Sequence, residues 1–148
     1  MKRLAEIIKP YLRLLRVGNL VFTAILLYVM EKWVVLPLLQ TAQFGEQMPW
    51  WVLMLLIIST VLIAAGGYVI NDYFDVKIDR INRTDDVVVT RYISREGTMR
   101  LFMALSGIGV VTGLTAAWWA HSWTLMMVYI VIPGLIWFYF ASYKRQLF

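Results

Sequence analysis

The sequence predicts an all-α membrane protein, a bundle of about four spanning helices preceded by a helix lying on the membrane surface. Three observations predict it. Of 148 residues, 61% are hydrophobic, against roughly 45–50% in soluble domains; the mean hydropathy is +0.69. The apolar residues are concentrated: Trp50 to Ile70 and Leu101 to Tyr143 contain no Asp, Glu, Lys or Arg. Apart from Lys32, the basic residues fall in the N-terminal segment and on alternate connections, as in a polytopic chain.

The opening segment, 1–15, places Leu4, Ile7, Ile8, Tyr11, Leu12 and Leu15 at helical spacing among Lys2, Arg3, Lys9 and Arg13. An apolar stripe beside basic residues suits a helix on an anionic leaflet. No small-residue cleavage site follows, so a secretory signal is not expected. A first span is expected near 17–39, with Glu31 and Lys32 inside it and Pro37 near its end. A spanning helix needs about 20 apolar residues, which 50–72 supplies. The next apolar run, Leu101 to Tyr143, would be ~65 Å as one helix, too long for one crossing. It therefore divides into spans near 100–119 and 123–143, with the turn at Trp118 to Trp123, where aromatic residues suit the interface. Lys77 to Arg100 is polar, mixed in sign and interrupted by Val87-Val88-Val89, which reads as a structured loop.

Charge gives the orientation. Fourteen basic residues against nine acidic ones leave +5. Five precede the first span, six lie between Lys77 and Arg100, and Lys144 and Arg145 follow the last span. The segment 40–49 and the turn at His121 have none. This is the positive-inside pattern of a multi-pass cell (inner) membrane protein, with its N-terminus in the cytoplasm, rather than a nucleic-acid-binding surface. There is no cysteine, hence no disulfide, zinc-thiolate site or thiol nucleophile. The single histidine, His121, falls in an outer turn, where solvation is the expected role.

One cluster carries chemistry. The second span runs into Asn71-Asp72-Tyr73-Phe74-Asp75-Val76-Lys77-Ile78-Asp79. At about 100° per residue, Asp75 lies ~40° from Asn71, Asp79 ~80° and Asp72 ~100°. Tyr68 is on the same face one turn deeper. If the helix continues, Asn82 and Arg83 return to that face. Three carboxylates in one arc repel each other, and a helix C-terminus disfavours each by roughly 0.3–1 kcal/mol. A cation resolves the conflict. Mg²⁺ takes a few carboxylate oxygens, keeps several waters and accepts phosphate oxygens. The plainer alternative is that these acids only end the span in water.

The same residues, followed by Arg80-Ile81-Asn82-Arg83, resemble the first aspartate-rich motif of the UbiA family of intramembrane prenyltransferases. Arg16-Val17-Gly18-Asn19 resembles the Arg-x-x-Asn start of that family's first helix. Val87 to Arg95 resembles the loop after the motif in a bacterial geranylgeranylglycerol-phosphate geranylgeranyltransferase-like branch, and Tyr139 to Arg145 its tyrosine–lysine element. Thr84 stands where the family usually has proline, and Asp86 where a basic residue is common. Phe140 rather than tyrosine precedes Lys144 by four residues. The resemblance covers nearly all of this chain but only the N-terminal half of a nine-helix prenyltransferase fold. No acid follows Glu96, so the family's second acidic motif is missing and the chain reads as a fragment.

The resemblance implies Mg²⁺-dependent transfer of a prenyl group from a prenyl diphosphate to a lipid or aromatic acceptor. It implies Asn71, Asp72, Asp75 and Asp79 as metal ligands, with Asp75 and Asp79 central to catalysis. Arg83, Arg91, Lys144, Arg16, Asn19 and Tyr68 become substrate-binding candidates. Phe22, Tyr28, Tyr68, Trp137 and Tyr139 are candidates for lining an allylic-cation pocket. A missing half or second subunit is implied for a complete site. The rival class is a catalytically inactive four-span protein that binds lipid or an ion, or acts in assembly. Acids deeper in a span would favour an ion pathway.

Overall fold

The computed structural model describes residues 2–42, 48–82, 88–90 and 92–143; the side chains of 2–7, 77–82 and 143 lie outside that description. Helix α1 (Lys2–Leu14) ends at a sharp corner. Arg16 adopts the left-handed conformation there, with φ 50° and ψ 50°. A non-glycine residue in that region costs roughly 1–2 kcal/mol. The corner closes through the Arg16 N–H donating to the Arg13 carbonyl at 3.0 Å and the Asn19 N–H to the Arg16 carbonyl at 2.8 Å. Leu14, fully buried, pins it from below. Ile8, Tyr11 and Leu12 of α1 remain exposed.

The chain then rises as α2 (Val17–Met30), a π turn over Glu31–Val35, and α3 (Leu36–Thr41). Pro37 explains the π turn. Having no N–H, it cannot bond to the carbonyl four residues earlier, and its ring crowds that turn. The helix widens instead, and the Leu36 N–H donates to the Glu31 carbonyl, five residues back.

Helix α4 (Trp50–Asn82) has 33 residues and a length of ~50 Å. The hydrocarbon layer is only ~30 Å thick. The helix is therefore longer than one crossing needs, and Asn71 lies ~31 Å along its axis. This shortens the loop expected from Lys77, because neither glycine nor proline occurs from Tyr68 to Glu96 to stop the helix. Helix α5 (Arg95–Trp119) likewise begins before the expected 100; Ser94 caps it, its hydroxyl accepting from the Gly97 N–H at 3.0 Å. After a turn at Ala120 to Ser122, α6 (Trp123–Phe138) starts under a Ser122 cap and continues through a π turn, Tyr139–Tyr143. The break thus falls where the aromatic residues suggested. Among the described residues, four helical segments are long and apolar enough to cross a membrane: Val17–Thr41, Trp50–Val76, Arg95–Trp119 and Trp123–Ser142.

Helices α4 and α5 form the central pair. Gly109 and Gly113, spaced as small-x-x-x-small, let the backbones approach. A Cβ on Gly109 would lie 2.8 Å from Ile63 Cγ1, and one on Gly113 would meet the Tyr129 ring and lie 2.5 Å from Ser59 Oγ. The buried Ser59 hydroxyl donates to the Gly109 carbonyl at 2.6 Å. Toward the acidic end, Leu14, Val69, Ile70, Val76, Val88, Val89 and Phe102 make one core cluster. Four separate chain segments thus meet beneath the acidic face.

Candidate functional site

The acidic face is built by one uninterrupted helix. Asn71, Asp72 and Asp75 are half-buried on α4, and Asp79 follows in helical register. The opposite face of this stretch carries Val69, Ile70 and Val76 into the core cluster. That packing fixes the rotation of α4, and so decides which way the acids face. Among the described residues no three acids or histidines gather as a metal-holding group, Asp72 and Asp75 being the acids of this face whose side chains are described.

The α1–α2 corner supplies the cation. Arg16 Nη2 lies 3.7 Å from Asp72 Oδ1, with the two side chains 47% and 25% exposed. The Arg16 guanidinium also sits over the Tyr68 ring, 5.0 Å from its centroid. Asn71 Nδ2 donates to the same Asp72 oxygen at 3.4 Å. Arg16, Tyr68, Asn71 and Asp72 therefore form one connected group, drawn from two elements. The left-handed backbone at Arg16 points to a constrained position, since strained residues persist only where their surroundings hold them.

Other candidates divide differently. Asn19 is exposed; its carbonyl accepts from Thr23 Oγ1 at 2.8 Å. Arg83, Arg91 and Lys144 lie outside the described residues, as does the side chain of Asp79. Of the five aromatic candidates, Tyr68 joins the group. Phe22 and Tyr28 are exposed on α2. Trp137 stacks on Phe102 at 5.7 Å, and Tyr139 meets Phe140 edge-on at 5.0 Å. An unforeseen contact is Arg95 over the Tyr73 ring at 4.8 Å. Tyr73 lies ~200° from Asn71 around α4, so this contact ties α5 to the back of the acidic stretch. Arg95 directly follows the Ser94 cap, a sequence signal for a basic residue at a helix start.

Fold and site together define a polytopic helical membrane protein with an acidic, arginine-partnered face at one end of its longest span. This chain belongs to the UbiA prenyltransferase family, whose model matches residues 32–148. It is 33% identical over 107 residues to the digeranylgeranylglyceryl phosphate synthase of Sulfolobus acidocaldarius, covering 72% of this chain and 35% of that protein. The protein of that name from Sulfurisphaera tokodaii is 27% identical over 143 residues, covering 94% of this chain and 45% of its own. A solved structure described as "Structural and mechanistic insights into the biosynthesis of Digeranylgeranylglyceryl phosphate synthase in membranes" matches with a TM-score of 0.71 at 24% identity, over 95% of this chain and 45% of that one. That likeness establishes the fold. The chain spans less than half the length of these relatives.

Proposed function

We propose that this chain forms the first acidic half of a prenyl-diphosphate site, in a protein that transfers a prenyl group to a lipid acceptor within the membrane. The observation that carries this reading is the α4 face where Asn71, Asp72 and Asp75 sit half-buried near the end of the apolar segment Trp50–Val76. The names of the relatives support a geranylgeranyl donor and an acceptor of the glyceryl phosphate class. The charge pattern supports a cytoplasmic position for the face.

The donor set fits a hard divalent cation such as Mg²⁺: carboxylates and an amide oxygen, with no thiolate or imidazole. Asp75 and Asp79 would hold it, with Asp72 and the neutral Asn71 completing the set. Held by these residues, such a cation would supply the charge that neutralises a diphosphate and makes it a better leaving group. Arg16 places a fixed positive charge beside Asp72, and Arg83, Arg91 and Lys144 are candidates to contact the diphosphate. Tyr68 covers one side of the Arg16 guanidinium and limits its access to water. The prenyl chain lies among the spans, away from water that would capture an allylic cation. With relatives more than twice as long, the remaining ligands come from outside these 148 residues.

The test is prenyl transfer from geranylgeranyl diphosphate to a glyceryl phosphate lipid by the complete protein in detergent, with and without Mg²⁺. Asp75→Ala and Asp79→Ala should each lower the rate at least ~100-fold, the scale of losing a charge-stabilising group, and chelation should abolish transfer. Full activity in both variants would refute the assignment.

A further inference from the structure

The geometry points to Arg16 as an exchangeable counter-ion, one that neutralises Asp72 while no metal is bound and yields it when a metal arrives. The inference rests on the proposed metal site and adds a device to it. Asp72 Oδ1 is where Arg16 Nη2 (3.7 Å) and Asn71 Nδ2 (3.4 Å) converge. A divalent cation drawing on the same carboxylate would compete with a guanidinium already there. Two positive centres sharing one carboxylate repel each other, so metal binding weakens the Arg16–Asp72 contact and favours its release.

The pair is built to release. At 3.7 Å it is longer than a charge-assisted hydrogen bond, and half of the Arg16 side chain is exposed. Ion pairs this open to water are weak, so a divalent ion displaces one at little cost. The Tyr68 ring gives the guanidinium a second resting place that does not depend on Asp72. The left-handed corner and buried Leu14 hold the Arg16 backbone still, so that only the side chain has to move. Once released, the guanidinium is available to the diphosphate that accompanies the metal. Arg16 lies outside the segment matched by the family model, 32–148.

This gives one substitution two opposite effects. Arg16→Gln keeps a non-glycine residue at the left-handed position and removes the charge. Mn²⁺, a spectroscopic stand-in for Mg²⁺, is titrated by electron paramagnetic resonance into the full chain in nanodiscs, first alone and then with inorganic pyrophosphate. Arg16→Gln should bind Mn²⁺ alone about tenfold more tightly, as removal of one nearby unit charge predicts. It should bind pyrophosphate to the Mn²⁺-loaded chain at least about fivefold more weakly, the loss of one charged contact. Arg16→Lys, which keeps the charge, should leave the Mn²⁺ affinity within about twofold of the parent. Circular dichroism checks that each variant keeps its helices.

Unchanged Mn²⁺ affinity in Arg16→Gln overturns the exchange. So does tighter Mn²⁺ with undiminished pyrophosphate binding, because Arg16 would then only oppose the metal. Asp75→Asn separates the two levels: it should abolish Mn²⁺ binding if the metal reading holds. If no variant and not the parent binds Mn²⁺, the metal site itself fails, and the exchange with it.

Discussion

Substituting Gly113 by alanine adds a single methyl group at the closest approach of α5 to its neighbours. That methyl would overlap the Tyr129 ring and lie 2.5 Å from Ser59 Oγ. Ordinary contact begins near 3.4 Å, so the neighbours must retreat by about 1 Å in a close-packed interior. Neither can do so freely. Ser59 is fully buried and donates to the Gly109 carbonyl at 2.6 Å. Tyr129 is 8% exposed, and its hydroxyl lies 3.4 Å from both Thr60 Oγ1 and the Leu56 carbonyl. Overpacking costs roughly 1–3 kcal/mol, and a strained or broken Ser59 hydrogen bond adds about 1 kcal/mol. Gly113→Ala should therefore destabilise the chain by about 2–4 kcal/mol. Gly107, where an added methyl would find nothing within 4 Å, is the internal control. Gly107→Ala should be neutral or stabilising by up to about 1 kcal/mol through helix propensity. Both are read by denaturant titration in mixed micelles, following helix content. Equal stability of Gly113→Ala and the parent would show that α4, α5 and α6 do not meet at this depth.

Other expectations concern the end that carries the acids. Thr90 has φ 77°, a costly conformation for a β-branched residue. Thr90→Gly should stabilise by about 1 kcal/mol in the same titration; a loss of stability would mean that its side chain outweighs the strain. Leu14→Ala empties a fully buried position under the Arg16 corner and should cost about 2–5 kcal/mol, by the same measurement. A cost below about 0.5 kcal/mol would show that α1 is not anchored there.

How far the sequence could be read depended on the range of the forces involved. Spans, turn and acidic face were legible because each follows from local period and composition. Trp50 to Ile70 without a charge must be a span, and residues 71, 75 and 79 share a face on any helix. The continuation of α4 to Asn82 was only half legible. The stretch lacks a helix breaker, but its polar composition read as loop. Aromatic composition likewise says nothing about which side of a span faces its neighbours, and Phe22 and Tyr28 are exposed in these 148 residues.

The sequence by itself determined that this protein is helical, crosses a membrane and carries an acidic arc at one end of its longest helix. Those properties need only hydrophobic transfer and a 3.6-residue period. Tertiary structure decided what stands opposite the arc. Arg16 reaches Asp72, far along the chain, because the left-handed corner turns α1 into α2 and Leu14 locks that corner into the cluster around Ile70. A contact between distant segments depends on how helices pack, and here glycines at 109 and 113 set how closely the central pair can approach. The arc came from the sequence; its arginine partner came from the fold.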